Sequence, residues 1–103
     1  MNMHYDTLQI SKIIDQAMVY KCACPAQVCR TIFELRDLHE YQMSCMIDVP
    51  SDERVHVTIA KTTEKTHAMM EECLTEVLQI EGWDLSTLTM PESLRKKPVK
   101  SLQ

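Results

Sequence analysis

Apolar side chains recur near the start of the chain at the three- and four-residue steps of an α-helix. Asp6 can cap this helix, with Gln9 three residues later as its reciprocal hydrogen-bonding partner. The pattern predicts a first helix over residues 6–20. Its apolar face consists of Ile10, Ile13, Ile14, Ala17 and Met18.

A second stretch with the same periodicity begins at the Cys24–Pro25 step. The residue before a proline avoids the helical conformation, whereas proline itself suits the first helical position. We therefore expect a helix from Pro25 to about Met46, packed antiparallel to the first because the connection between them is short. Its apolar face carries Val28, Ile32, Leu35 and Leu38, followed by Gln42.

The longest periodic stretch follows Pro50, where Ser51 can act as the N-cap of a third helix of about 30 residues. Gly82, the single glycine of the chain, predicts the end of this helix, with Trp83 folding back in a Schellman motif. We expect the core-facing stripe of the third helix to consist of Val55, Ile59, Thr62, Thr66, Met69, Cys73, Val77 and Ile80.

One segment of the third helix also fits a strand. In VHVTIA, residues 55–60, Val, Val and Ile alternate with His and Thr as they do in a half-buried strand. With the preceding MIDV it could form a hairpin at about 45–60, which would make the fold α+β. Two strands alone are marginal in water, so this alternative needs the helices or a partner chain to cover them.

Together these stretches predict an all-α fold, an antiparallel helical bundle of three long helices plus a short C-terminal helix at PESLRK. The single glycine agrees with this class, because tight β turns call on glycine more often than helices do. We expect one helical domain over residues 1–90, and a short helix with a basic, flexible tail over 91–103.

Charge and hydropathy restrict the class of partner. Eleven basic and fifteen acidic residues give a net charge of −4, which argues against nucleic-acid binding because that function needs a concentrated basic face. No run approaches the roughly 18 apolar residues of a membrane span, so we expect no membrane association. Five cysteines, an odd number, suit a disulfide framework poorly and predict a cytoplasmic protein with reduced thiols.

The densest chemical feature is the run KCACPAQVC, which holds three of the five cysteines. In an antiparallel arrangement, Cys22, Cys24, Cys29 and Cys73 come to similar heights at one end of the bundle, whereas Cys45 lies at the other. Four thiolates together are the ligand set of a structural zinc or an iron–sulfur cluster, and neighbouring methionines would also suit Cu(I). The spacing matches no standard zinc or ferredoxin pattern, so the metal site is a hypothesis.

The same cysteines support two further interpretations. As the N-cap of the second helix, Cys24 would be stabilised as a thiolate and be the most reactive thiol, with Cys22 or Cys29 available to resolve an oxidised sulfur. Alternatively, the cysteines pack as small apolar side chains, as we expect of Cys73 on the stripe of the third helix. The sequence leaves metal binding, thiol redox chemistry and plain packing open.

Two E-x-x-H motifs, Glu53 to His56 and Glu64 to His67, have the spacing that di-iron proteins place on facing helices. On one continuous helix, the 11 residues between them correspond to about 16 Å, far beyond the separation of a two-metal centre. We therefore interpret both as acid and histidine pairs on a helix surface.

No phosphate-binding loop, nucleophile elbow or paired acid and base is evident in the sequence. We therefore expect a small cytosolic, non-enzymatic module for protein interaction or regulation. The length of the third helix favours self-association as a homodimer, because overhanging apolar surface is unfavourable in water. The alternative is a thiolate metal-binding protein (zinc, iron–sulfur or copper) or a thiol-redox protein that acts through the cysteine cluster.

Overall fold

A computed structural model describes residues 1–19, 23–48 and 53–94, with only the backbone of Ile47 and Asp48. It contains α1 (Thr7–Ala17), α2 (Cys24–Asp48), α3 (Glu53–Glu81) and a 3-10 turn (Glu92–Leu94). These ranges contain no strand beyond one isolated bridge, and most of their residues are helical, as the all-α prediction requires. The hairpin alternative is wrong for its described residues, because VHVTIA lies inside α3.

The start of α1 confirms the predicted capping box. Gln9 N–H donates to Asp6 Oδ1 at 2.8 Å, and Asp6 N–H donates to Gln9 Oε1 at 2.9 Å. The helix ends at Ala17 rather than at residue 20. Ile10 and Ile13 are buried as expected, whereas Met18 is exposed.

The start of α2 lies one residue earlier than predicted. The carbonyl of Ala23 accepts the N–H of Gln27 at 3.1 Å, so Ala23 is the N-cap and Cys24 is the first helical residue. Pro25 is buried and occupies the second helical position, where a missing N–H costs no helical hydrogen bond.

The end of α3 confirms the predicted Schellman motif. Gly82 has φ of 81° and its N–H donates to the Gln79 carbonyl at 3.1 Å, while Trp83 N–H donates to the Leu78 carbonyl at 2.9 Å. Glycine adopts this left-handed conformation without the strain that a Cβ atom would bring. The chain therefore reverses here and returns Trp83 to the core, where it is buried.

Contacts between side chains show that α2 and α3 lie antiparallel. Arg36 of α2 meets His67 of α3, and Gln42, further along α2, meets His56, which comes earlier in α3. The shorter helix α1 packs on α2 near its N-terminal end. The apolar core at this end contains Tyr5, Ile10, Ile13, Ala17, Ala26, Cys29, Ile32, Leu74, Leu78, Trp83, Leu88 and Met90.

The core-facing side of α3 differs from the one that we predicted. The buried residues of this helix are Ala60, Thr63, His67, Glu71, Leu74 and Leu78. The predicted stripe lies about a third of a turn away, with Val55, Met69 and Ile80 exposed. The prediction was wrong because half of the buried side is threonine, histidine and glutamate, and two of these residues, His67 and Glu71, contact Arg36 of α2.

The segment after α3 is a compact turn that covers the core. Asp84 Oδ1 accepts the N–H of Ser86 at 2.9 Å, and Asp84 N–H donates to the Thr89 carbonyl at 2.9 Å. Leu88 has φ of 55° at the corner of this turn, and Leu88 and Met90 are buried. In its described part, the predicted helix at PESLRK is a 3-10 turn over Glu92–Leu94, and its last two residues lie outside the described ranges.

The molecule is elongated, with principal extents of 61 × 27 × 18 Å. Its radius of gyration is 17.3 Å, against about 13 Å for a compact domain of this length. No helix in the described part of the chain combines the length and the apolar character that crossing a membrane requires.

Candidate interaction surface

A buried polar network joins α2 and α3 to the N-terminal segment. Arg36 Nε donates to His67 Nε2 at 3.0 Å, and Arg36 Nη2 lies 3.4 Å from Glu71 Oε2 and also donates to the Tyr5 carbonyl. The same Glu71 oxygen accepts the backbone N–H groups of His4 and Tyr5 at 2.8 and 3.0 Å. The two helices and the chain before α1 are thus held together by charge-assisted hydrogen bonds.

Burial determines the protonation of His67, whose side chain is fully enclosed. Desolvation of the charged ring lowers the pKa of His67, the nearby Glu71 carboxylate opposes this by raising it, and the Arg36 guanidinium lowers it further. The ring accepts the Arg36 hydrogen bond at Nε2, so the neutral form carries its proton on Nδ1, 3.5 Å from Glu71 Oε1. His67 is therefore a neutral acceptor near neutral pH.

Beyond this network, away from α1, polar side chains also line the contact between α2 and α3. His56 Nδ1 and Gln42 Oε1 are 2.6 Å apart, and His39 Nε2 lies 3.7 Å from Glu64 Oε2. We call these contacts, together with the pair of Arg36 with His67, the polar seam. It accounts for the burial of Gln42 at a position where a helical core usually carries leucine.

A groove of about 630 Å³ lies beside Glu71, between the N-terminal segment and α3. Glu72, Thr75 and Glu76 contribute to its wall. The buried carboxylate in this wall, that of Glu71, already accepts two backbone N–H groups and faces Arg36. The groove is therefore a depression beside the buried network, and the Glu71 carboxylate in its wall is already engaged by that network.

The apolar residues that we expected in the core of α3 form an exposed row. We call Val55, Ile59, Thr62, Thr66, Met69, Cys73, Val77 and Ile80 the outer stripe. Val55 is 56% exposed, Met69 66% and Ile80 84%, whereas Ile59, Cys73 and Val77 are half-buried at the border with the core. Three exposed apolar side chains, Val55, Met69 and Ile80, thus lie on one face along about 38 Å of α3.

Exposed apolar residues of α2 continue this surface. Thr75 contacts Tyr5 on one flank of α3, and the stripe residue Cys73 lies about 200° around the helix from Thr75. In the same way, Leu38 lies about 200° around α2 from Arg36, which contacts the Tyr5 carbonyl. Leu38 and Tyr41, both exposed, therefore lie on the same side of the α2–α3 pair as the outer stripe, opposite the N-terminal segment.

The described cysteines of the predicted cluster differ in their burial. Cys24 is exposed at the start of α2, Cys29 is fully buried in the core, and Cys73 is half-buried on the outer stripe. Within residues 1–19, 23–48 and 53–94, no three His, Cys, Asp or Glu side chains form a group that could hold a metal ion. Cys22 lies outside these ranges, so the four-cysteine site stays a prediction.

Burial also decides the chemistry of Cys29. Desolvation raises the pKa of the Cys29 thiol to about 12, with Arg36 acting weakly in the opposite direction. A thiol with this pKa and no solvent access resolves an oxidised sulfur poorly. Cys45, on α2 near the polar seam, is half-buried and hydrogen-bonds with Tyr41, which raises the pKa of the tyrosine hydroxyl.

The two E-x-x-H motifs are not pairs on a common surface as we interpreted them. His56 and His67 are turned toward α2, while Glu53 and Glu64 are exposed. His67 takes part in the buried network through Arg36 and Glu71. No sequence pattern singled out these two partners. The one available signal was the spacing of His67 and Glu71, four residues apart on one helix.

Comparison of the chain with models of protein families, with curated proteins and with solved structures finds no match.

Proposed function

We propose that this chain is a small cytosolic protein-interaction module, an antiparallel helical bundle that binds a protein partner through the outer stripe and the adjacent edge of α2. The observation that carries the proposal is the exposure of Val55, Met69 and Ile80 at helical spacing on one face. Scattered apolar residues are normal on a surface, but a row along a helix is the geometry with which helices bind one another.

The internal design of the molecule supports the same function. The buried network ties α3 to α2 and to the N-terminal segment, so the stripe is presented on a helix whose position is set by packing and hydrogen bonds. A rigid surface loses little conformational freedom on binding, which favours affinity for a given contact area. The non-enzymatic role rests on the surface itself and needs no cofactor.

Site-specific photocrosslinking tests the proposal. A benzoylphenylalanine in place of Met69 should form covalent adducts with a protein in the cells that express the chain. The matched control places the same probe at exposed Glu40 of α2, outside the outer stripe and the α2 edge. Adducts at residue 69 and none at residue 40 support an interaction surface, whereas the absence of protein adducts at residue 69 excludes it.

A further inference from the structure

We infer that the partner of the outer stripe is a second copy of this chain, paired antiparallel along α3 about a two-fold axis near Ala68. This inference rests on the proposed function and names its partner. It is carried by the order of the charges beside the stripe.

One flank of the outer stripe carries charges whose sign reverses at the midpoint. Each flank residue directly precedes a stripe residue, so all of them lie about 100° around α3 from the stripe, on the same side. In chain order, the flank consists of Arg54, Thr58, Lys61, Lys65, Ala68, Glu72, Glu76 and Gln79, and every one of them is exposed. The bases precede Ala68 and the acids follow it.

Within a single chain this order is unfavourable. Lys61 and Lys65 are four residues apart and therefore adjacent on the helix surface, and the same holds for Glu72 and Glu76. Like charges at this spacing destabilise a helix. Among the described residues, none of these four side chains has an ion-pair partner within 4.0 Å. The monomer thus keeps two like-charged pairs side by side, none of them in an ion pair among the described residues.

An antiparallel copy supplies partners of opposite charge. When two α3 helices run in opposite directions with their midpoints aligned, Lys65 of each chain lies opposite Glu72 of the other, and Lys61 lies opposite Glu76. A two-fold axis repeats every contact, so four opposite-charge pairs form from one surface. In a parallel pair the two-fold axis runs along the helices and places the two charged flanks on opposite sides of the contact, so the lysines and glutamates of one chain do not meet those of the other.

An alignment whose midpoint differs by one residue, or about 1.5 Å along the helix, matches the residues of the stripe. Thr66 comes opposite Met69, Thr62 opposite Cys73, and Val55 opposite Ile80. The two ends of the stripe, both exposed and apolar, therefore cover each other. Periodic apolar residues with charged flanks that complement one another are the arrangement by which coiled-coil helices choose orientation.

The surface also has a suitable size. The stripe is about 38 Å long, and the α2 edge beside it widens the face to about 20 Å, since packed helices lie about 10 Å apart. The resulting face of about 750 Å² is close to the roughly 800 Å² that each partner contributes to a stable complex.

Charge reversal on the full chain tests the pairing. Sedimentation equilibrium should show a dimer for the wild type, a dissociation constant about tenfold higher for Lys65→Glu, and a return to the wild-type value for Lys65→Glu combined with Glu72→Lys. In a dimer of the double variant, the glutamate at position 65 of each chain again lies opposite a lysine, at position 72 of the other chain. Both opposite-charge pairs are therefore restored. Unchanged helical circular dichroism in each variant controls for folding.

A second measurement tests orientation and register. In the Thr62→Cys variant, a short bismaleimide should link the introduced thiol of one chain to Cys73 of the other. Positions 62 and 73 are about 16 Å apart within one helix and are adjacent only across the pair. Mass mapping identifies the linked peptides. In the wild type, a link between the two copies of Cys73 would indicate a parallel pair and overturn the inference.

The outcomes distinguish this inference from the proposed function. A monomer at every concentration, with residue 69 crosslinked to a different protein, overturns the second copy as partner and leaves the interaction module in place. A dimer in which the double charge reversal fails to restore affinity also overturns the antiparallel alignment. A monomer without any protein adduct at residue 69 overturns both.

Discussion

The two ends of the α2–α3 pair are stabilised in different ways. At the end that α1 and the segment after Gly82 cover, the helices meet through apolar side chains such as Ile32, Leu74 and Leu78, all fully buried. At the other end nothing in the described chain covers the two helices, and they meet through the polar seam. The difference shows that an apolar core forms between these two helices only where a further element covers them.

Two helices alone enclose only a narrow strip between them, so apolar side chains there stay partly in contact with water and gain little from burial. Hydrogen-bonding side chains suit such a strip, because those that remain near solvent keep their hydration. A third element changes this balance, because it surrounds the strip and lets Ile32 and Leu78 reach full burial. The network around Arg36 lies between the covered, apolar end of the helix pair and its uncovered, polar end.

Breaking the network at this junction should have the largest effect. Arg36→Met leaves the buried Glu71 carboxylate and His67 without their charged partner, and we expect a loss of about 3–5 kcal/mol in the free energy of unfolding, measured by urea denaturation. Arg30→Met, an exposed arginine on the same helix, should cost less than about 0.5 kcal/mol. A loss below about 1 kcal/mol for Arg36→Met would show that the network contributes little.

The same substitution at both ends should sharpen the comparison. Ile32→Ala in the covered end should cost about 3 kcal/mol, because it opens a cavity in a closed core. Ile59→Ala near the polar seam should cost about 1 kcal/mol, since Ile59 is half-buried and its site stays open to solvent. Both values come from urea denaturation at low protein concentration, and equal losses would contradict the proposed difference between the ends.

Acid should weaken the junction through His67. The folded protein holds the pKa of His67 below its ordinary value of 6.5, so the unfolded chain takes up a proton first as the pH falls. This contribution to stability is complete above pH 6.5 and decreases below it. Denaturation midpoints between pH 7.5 and 5 should fall in the wild type, as about one proton is taken up on unfolding. His67→Gln, which can still accept from Arg36, should flatten the profile, and His4→Gln at an exposed site should not.

Thiol labelling should give the smallest but most local contrast. Brief iodoacetamide treatment near neutral pH should modify exposed Cys24 first, then half-buried Cys45 and Cys73, and leave Cys29 unmodified until the protein unfolds. Mass mapping of the peptides gives the order. Labelling of Cys29 as fast as Cys45 would mean that the covered end opens as readily as the other.

Much of the helical framework was predictable because its signals are local. The Asp6 and Gln9 capping box, the α2 boundary near Pro25 and the Schellman motif at Gly82 each depend on a few neighbouring residues. The helical periodicity of VHVTIA also outweighed its strand-like alternation, since α3 runs through it without a break.

What the sequence by itself determined was therefore the start of α1, the start of α2 to within one residue and the end of α3, together with which residues repeat at helical spacing. Only the tertiary structure decided which side of α3 is buried. A helix with apolar residues on one side and threonine, histidine and glutamate on the next offers two candidate core faces. The choice depends on whether Arg36, Gln42 and the N–H groups of His4 and Tyr5 can reach the polar side. Those partners lie far away in sequence, so their pairing energy appears only once the chain has folded.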